Sequence, residues 1–131
     1  RPLPGVNGLK RALDGTLLLS NSTARTLLRL RLAGGAPDGA PEPVARMTRG
    51  VDDFAVGPDG VVYAATHAEG LALLPPGAAE PRPIPAPGVE GSTAVALSPG
   101  GDRALLALGT GGLLEGRGGD AVLARVALPE G

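Results

Sequence analysis

Several polar residues of this sequence could together bind a cation and move a proton. Asp52 is followed at once by a second carboxylate, Asp53, while Asn7 lies far before it and Thr93 far after it. Carboxylate, carboxamide and hydroxyl oxygens are the ligands that hard cations such as Ca²⁺ and Mg²⁺ prefer. A carboxylate near a bound water can also accept its proton. The chemistry therefore requires a fold that brings Asn7, Asp52 and Thr93 together.

The stretch from Val51 to His67 is the clearest structural signal in the chain. It contains two apolar runs separated by Asp59-Gly60, which predicts strand, two-residue turn and strand, because Asp and Gly tolerate the positive φ angles of a tight hairpin. Such a hairpin returns the chain to its starting edge. We therefore expect Thr66 and His67, the chain's single histidine, to lie near Asp52.

Composition favours an all-β protein. The 131 residues include 22 glycines and 14 prolines, which long helices would not tolerate, since each Gly costs about 1 kcal/mol and each Pro about 3 in a helix. The net charge is −1 and the basic residues are scattered, so no nucleic-acid surface is expected. No apolar run reaches membrane length, so no membrane partner is expected either.

The hairpin belongs to a repeat. Asp14-Gly15 lies 45 residues before Asp59-Gly60, and Gly100-Gly101 lies 41 residues after it, a spacing typical of propeller blades. The repeats run over about residues 5–48, 49–88 and 89–131, within one partial β-propeller domain, 1–131. A polar loop is expected from Ala33 to Pro41. The last copy has only three strands, so the sequence predicts about three consecutive four-stranded antiparallel blades, the last incomplete.

The repeat places Asn7, Asp52 and Thr93 at one equivalent position, just before the innermost strand of each blade. Equivalent positions in a propeller converge on the central channel, which makes these residues candidate ligands. The alternative is that Asn7 and Asp52 form local turns with their own backbone, as such residues often do. Three further residues are expected on the same rim, where they would contact substrate or solvent: His67, Asn21 and Thr110.

Short motifs of this sequence resemble the SMP-30/gluconolactonase/LRE-like family, especially its fungal-type members. The resemblance covers nearly the whole chain, and its motifs stand in the family's order: Asn7-Gly8-Leu9-Lys10, Ser20-Asn21-Ser22, Val51-Asp52-Asp53-Phe54-Ala55-Val56, Ala64-Ala65-Thr66-His67, Ser92-Thr93-Ala94-Val95 and Gly109-Thr110-Gly111-Gly112-Leu113.

The resemblance implies a six-bladed, TolB-like propeller with one divalent cation in its channel, most often Ca²⁺, with Zn²⁺, Mg²⁺ and Mn²⁺ as the alternatives. Asn7 matches the family's ligand asparagine, and Asp52 matches its ligand aspartate, which is also the suggested catalytic base. The family's glutamate ligand and its substrate-binding residues come from blades that this sequence does not contain. The N-terminal half of the same propeller would then be the partner that completes the ring, and a secreted location is suggested by the resemblance alone.

The resulting functional hypothesis is a metal-dependent hydrolase of lactones or related esters, acting on a small-molecule substrate. This chain would contribute part of the site and would be inactive by itself. The alternative is a non-catalytic propeller that binds a protein or a small ligand on the same face, because one fold hosts many functions.

Overall fold

The computed structural model describes residues 5–67, 70–113 and 116–129, and in these ranges the regular structure is β-strand. The strands form three large antiparallel sheets and one small hairpin. Within the same ranges, no helix is long and apolar enough to cross a membrane.

The first sheet has the strand order β1-β2-β3-β6. Its strands are β1 (Val6–Arg11), β2 (Leu17–Asn21), β3 (Thr26–Leu30) and β6 (Glu42–Arg46). The expected polar loop between β3 and β6 instead contains a hairpin of β4 (Leu32–Ala33) and β5 (Ala36–Pro37). Gly34 and Gly35 both have positive φ, which is the requirement of a two-residue type I′ turn.

The second and third sheets follow in the chain. The second sheet, of order β7-β8-β9-β10, comprises β7 (Asp53–Val56), β8 (Val62–Ala65), β9 (Leu71–Leu74) and β10 (Arg82–Ile84). The third comprises β11 (Ser92–Leu97), β12 (Ala104–Gly109) and β13 (Val122–Ala127), in that order. The expectation of an all-β fold with a three-stranded last copy is confirmed for the described residues.

The three sheets pack side by side, with β7 lying between β1 and β11. The alternation of side chains along β8 explains the packing, since successive residues of a strand point to opposite faces. Val62 and Ala64 enter the core shared with the first sheet, whereas Tyr63 and Ala65 enter the core shared with the third. All four are buried, so the second sheet is apolar on both faces and holds its neighbours in place.

The predicted two-residue turn at Asp59-Gly60 is wrong by one residue. The Gly57 amide donates to the Val61 carbonyl (2.8 Å) and the Gly60 amide to the Gly57 carbonyl (2.9 Å), which makes a three-residue loop, 58–60. Gly60 has φ 81°, but Asp59 does not have positive φ. Pro58 explains the difference, because its ring fixes φ near −65° and so favours a type I turn followed by a left-handed glycine.

Candidate functional site

The innermost strands β1, β7 and β11 each carry one candidate ligand near their first residue. The pairing of β1 with β2 is irregular between Val6 and Leu9, and that of β11 with β12 is irregular between Ser92 and Ala94. These irregularities contain Asn7 and Thr93. A bulge re-aims a side chain and is common beside functional sites. Asp52 directly precedes β7, and its amide donates to the Ala65 carbonyl (3.0 Å).

Asp52 stands between a carboxamide and an imidazole. Asn7 Nδ2 donates to Asp52 Oδ1 (2.7 Å), and His67 Nε2 lies 3.6 Å from Asp52 Oδ2. The expected proximity of His67 to Asp52 is therefore confirmed, as is that of Asn7. No hydrogen bond among the described residues joins Thr93 to this group, which we call the Asp52 cluster (Asn7, Ser22, Asp52 and His67).

His67 is held in a backbone conformation that side chains rarely adopt, with φ 58°. Its amide donates to the Ser92 carbonyl (3.0 Å), and its carbonyl accepts from the amides of Gly70 (2.9 Å) and Gly91 (2.8 Å). These bonds fasten the end of the second sheet's hairpin to the start of β11. A non-glycine residue in this region costs about 1–3 kcal/mol and is typical of functional sites. The imidazole Nδ1 is buried and has no hydrogen-bond partner among the described residues.

Ser22 is a member of the cluster that the sequence analysis missed. Its hydroxyl donates to the Val51 carbonyl (2.6 Å), while Asn7 Nδ2 donates to Ser22 Oγ (3.3 Å). Because Asn7 directs its amide nitrogen at two acceptors, its carbonyl oxygen is left for another partner. Ser22 lies 45 residues before His67, the same spacing that separates Asn7 from Asp52. Applying that single spacing to the whole repeat would have found it.

Asn21 and Thr110 lie at the ends of β2 and β12, where the sequence placed them, but their polar atoms have local partners. Asn21 Oδ1 accepts from the Ala24 amide (2.9 Å), which closes a turn. The amide and the hydroxyl of Thr110 both donate to the Gly91 carbonyl (3.0 and 3.2 Å). Both residues therefore stabilise the rim, and their role toward a substrate stays a prediction.

Asp53 points to a different partner from Asp52. Its Oδ1 lies 3.2 Å from the ammonium group of Lys10, on β1 of the neighbouring sheet. This ion pair links the first two sheets beside the Asp52 cluster. The two adjacent carboxylates therefore do not act on one ligand, and Asp52 alone remains as the carboxylate of the cluster.

Comparison with solved structures shows what kind of assembly these sheets belong to. A protein provisionally named a gluconolactonase matches 78% of this chain with a TM-score of 0.61 and 23% identity. This chain folds as part of a β-propeller. Virginiamycin B lyase from Staphylococcus aureus matches 97% of the propeller segment (TM-score 0.60, 14% identity), and a streptogramin B lyase matches 99% (TM-score 0.54, 18% identity). No protein-family model and no curated protein matches the sequence.

The propeller segment spans less than half the length of these structures: 34%, 42% and 43% of the respective chains. One further structure of the S. aureus lyase, a catalytically inactive variant in which a histidine is replaced by alanine, was solved with quinupristin.

The Asp52 cluster fits a hard cation in the type of its donors but not in their number. Asp52 and the free carbonyl oxygen of Asn7 are oxygen ligands, whereas Ca²⁺ takes six to eight oxygens. Across the described ranges, no group of three or more His, Cys, Asp or Glu residues could hold a metal ion. A cation at this rim would therefore need ligands from water, from substrate or from other blades.

Proposed function

We propose that this propeller segment contributes part of the channel site of a metal-dependent hydrolase that opens lactones or related esters. The observation that carries the proposal is the contact of Asn7 with Asp52, which joins two inner-strand residues of neighbouring sheets at 2.7 Å. Their repeat positions are those that the family resemblance gives to a ligand asparagine and a ligand aspartate.

In this proposal Asn7 and Asp52 would hold a divalent cation, with Ca²⁺ as the first candidate. A bound cation supplies polarisation of the ester carbonyl and a lowered pKa for its bound water. The Asp52 carboxylate would accept a proton, and the imidazole of His67, 3.6 Å away, would stabilise or relay that proton. Ser22 would keep the Asn7 amide turned so that its oxygen faces the cation.

The remaining ligands would come from the N-terminal half of the same propeller. Exposed apolar side chains support this part of the proposal. Leu9 on β1 is 54% exposed, and on the other outer face Leu108 and Leu123 of the third sheet are 46% and 69% exposed. Propellers cover such faces with further blades and so close the ring.

A second candidate, an elimination reaction, is favoured by one observation. The lyase structures match nearly the whole chain, and a histidine replacement made one of them inactive. The cluster also pairs a carboxylate with an imidazole, an arrangement that suits proton abstraction. The two reactions differ in products, since hydrolysis consumes water and elimination leaves a double bond.

The test uses the full-length protein that contains this segment. Lactone and aryl-ester hydrolysis, quinupristin cleavage and the unfolding midpoint are measured with Ca²⁺ and with chelator. We expect Asp52→Asn to lower hydrolysis by about 10²–10⁴-fold, the range for loss of a proton acceptor, and to remove the calcium-dependent rise of the midpoint.

Asp38→Asn is the matched control, because Asp38 is exposed in the loop after β5 and removes the same charge. Calcium stabilisation that survives Asp52→Asn would refute the metal assignment. A protein that turns over none of these compounds, yet binds a ligand in a manner that depends on Asp52, would instead be a non-catalytic binding propeller.

A further inference from the structure

A cavity of about 430 Å³ lies between the second and third sheets, at the end opposite the Asp52 cluster. The strand direction fixes this location: β8 begins beside the 58–60 loop at the cavity and ends beside His67 at the other face. The cavity therefore does not belong to the site described above. Its size is within the range of small-molecule sites, about 300–1,000 Å³.

Four polar side chains converge on this cavity: Asp59, Tyr63, Arg82 and Arg103. Arg103 Nη2 is anchored by donating to the Pro129 carbonyl (3.0 Å), and Asp59 Oδ1 is engaged by the Val61 amide (3.2 Å). Arg82 has no hydrogen bond or ion pair with any described residue. The two guanidinium groups outnumber the single carboxylate, so the cavity has an excess of positive charge.

Tyr63 contributes a buried ring, with only 6% of the residue exposed. Burial raises the pKa of its hydroxyl, the Asp59 carboxylate raises it further and Arg103 opposes the rise. Both charged residues therefore act on the same phenol from within the cavity lining. A neutral tyrosine is a hydrogen-bond donor, which suits an acceptor group on a ligand.

The rest of the lining is apolar and poor in donors. Its walls include Leu73, Leu128 and four prolines, of which Pro83 and Pro85 flank the end of β10. Proline has no backbone N–H, so these walls cannot donate to a polar ligand. The polar head of a ligand would have to be bound by the arginines and the tyrosine, and its body by the apolar walls.

We propose that this cavity binds a small carboxylate with a compact apolar body, the carboxylate resting between Arg82 and Arg103 and the body against Tyr63 and the proline walls. Arginine recognises a carboxylate through paired N–H donors, which explains why the guanidinium groups carry the specificity. The site is independent of the proposed hydrolase function, since it shares no residue with the Asp52 cluster.

The sequence offers a direct probe, because Tyr63 is the only tyrosine and there is no tryptophan. Intrinsic fluorescence of the 131-residue chain therefore reports on this cavity alone. We titrate the chain with cyclohexanecarboxylate, which is transparent at the excitation wavelength, with the neutral cyclohexanecarboxamide and with inorganic phosphate. Saturable change with the carboxylate, much weaker change with the amide and none with phosphate is the expected result.

Arg82→Ala and Arg103→Ala should each weaken the carboxylate's affinity by about tenfold or more, the loss expected for a charge-assisted hydrogen bond. Arg46→Ala is the matched control, since Arg46 is an exposed arginine on β6, the outermost strand of the first sheet, and should leave affinity unchanged. Tyr63→Phe, followed by calorimetry, keeps the ring and tests the hydroxyl.

Equal binding of carboxylate and amide would overturn the proposal, and so would affinity that survives both arginine substitutions. Saturable binding of phosphate alone would show that the arginines form an anion site without the apolar selectivity proposed here.

Discussion

The strained backbone of His67 allows its structural and chemical roles to be separated by mutation. At φ 58° a Cβ atom is unfavourable, by about 1–2 kcal/mol, whereas glycine adopts this conformation freely. Glycine gives back about 0.5–1 kcal/mol through the entropy of the unfolded chain. We therefore expect His67→Gly to be more stable than His67→Ala by about 1 kcal/mol.

The imidazole itself should contribute little to stability. Its contact with Asp52 is 3.6 Å long and both side chains are partly exposed, so the pair is worth about 0–1 kcal/mol. The expected order of stability is thus His67→Gly above wild type, with His67→Ala at or below wild type. His67→Asn should lie between the two variants, since asparagine tolerates the left-handed region.

Urea unfolding of the three variants, followed by circular dichroism and by Tyr63 fluorescence, measures these differences. A difference of 1 kcal/mol corresponds to a shift of roughly 2–8 °C in the thermal midpoint for chains of this size range. In the full-length protein, His67→Gly and His67→Ala should lose activity equally, because both lack the imidazole. Equal stability of the glycine and alanine variants would refute the strain argument, and unequal activity would show that backbone geometry matters more than the imidazole.

Three further substitutions test the packing and the electrostatics. Gly8→Ala should destabilise the fold by about 1–3 kcal/mol in urea unfolding, because its Cβ would meet Ser20 Oγ at 2.8 Å and the Phe54 ring at 3.1 Å, whereas Gly118→Ala, with nothing within 4 Å, should be neutral. Hydrogen bonds from the Thr16 hydroxyl and amide lower the pKa of Asp14, so its contribution to stability is present above the unfolded pKa and is lost as pH falls through the lower folded value; Asp14→Asn should destabilise at pH 7 and lose this effect near pH 2, and an equal effect at both pH values would contradict the assignment. Leu123→Glu should reduce self-association of the segment in light scattering but destabilise a longer protein in which another blade covers the third sheet.

The repeat was predictable because each sheet begins with the same short instructions. The turns at Asp14-Gly15 and Asp59-Gly60 have the same hydrogen bonds, with the Gly15 amide donating to the Ala12 carbonyl (3.0 Å) as Gly60 donates to Gly57 (2.9 Å). A glycine in the left-handed region is needed in both. The turn type was mispredicted because attention went to the Asp-Gly pair, although Pro58 already excluded positive φ at its own position.

The Asp52 cluster was only partly predictable, for a different reason. Strand period and turn position bring Asn7, Asp52 and His67 to one end of the sheets, and these follow from the sequence. The direction in which each side chain points depends on the bulges in β1 and β11, which the repeat does not encode. Whether Asp53 would face Asp52's partners or Lys10 could therefore be decided only by the structure.

The role of Ser22 shows how repeat position and chemistry diverge along one rim. Ser22 and His67 occupy places 45 residues apart in successive sheets, and each contacts the inner-strand residue of its own sheet, Asn7 or Asp52. The serine gives its proton to the Val51 carbonyl and so can only accept from Asn7, which fixes the orientation of that amide. The histidine faces a carboxylate through a nitrogen that can hold or release a proton. The same backbone position therefore supplies orientation in the first sheet and acid–base capacity in the second, which is why the two sheets are expected to contribute a ligand and a proton acceptor respectively.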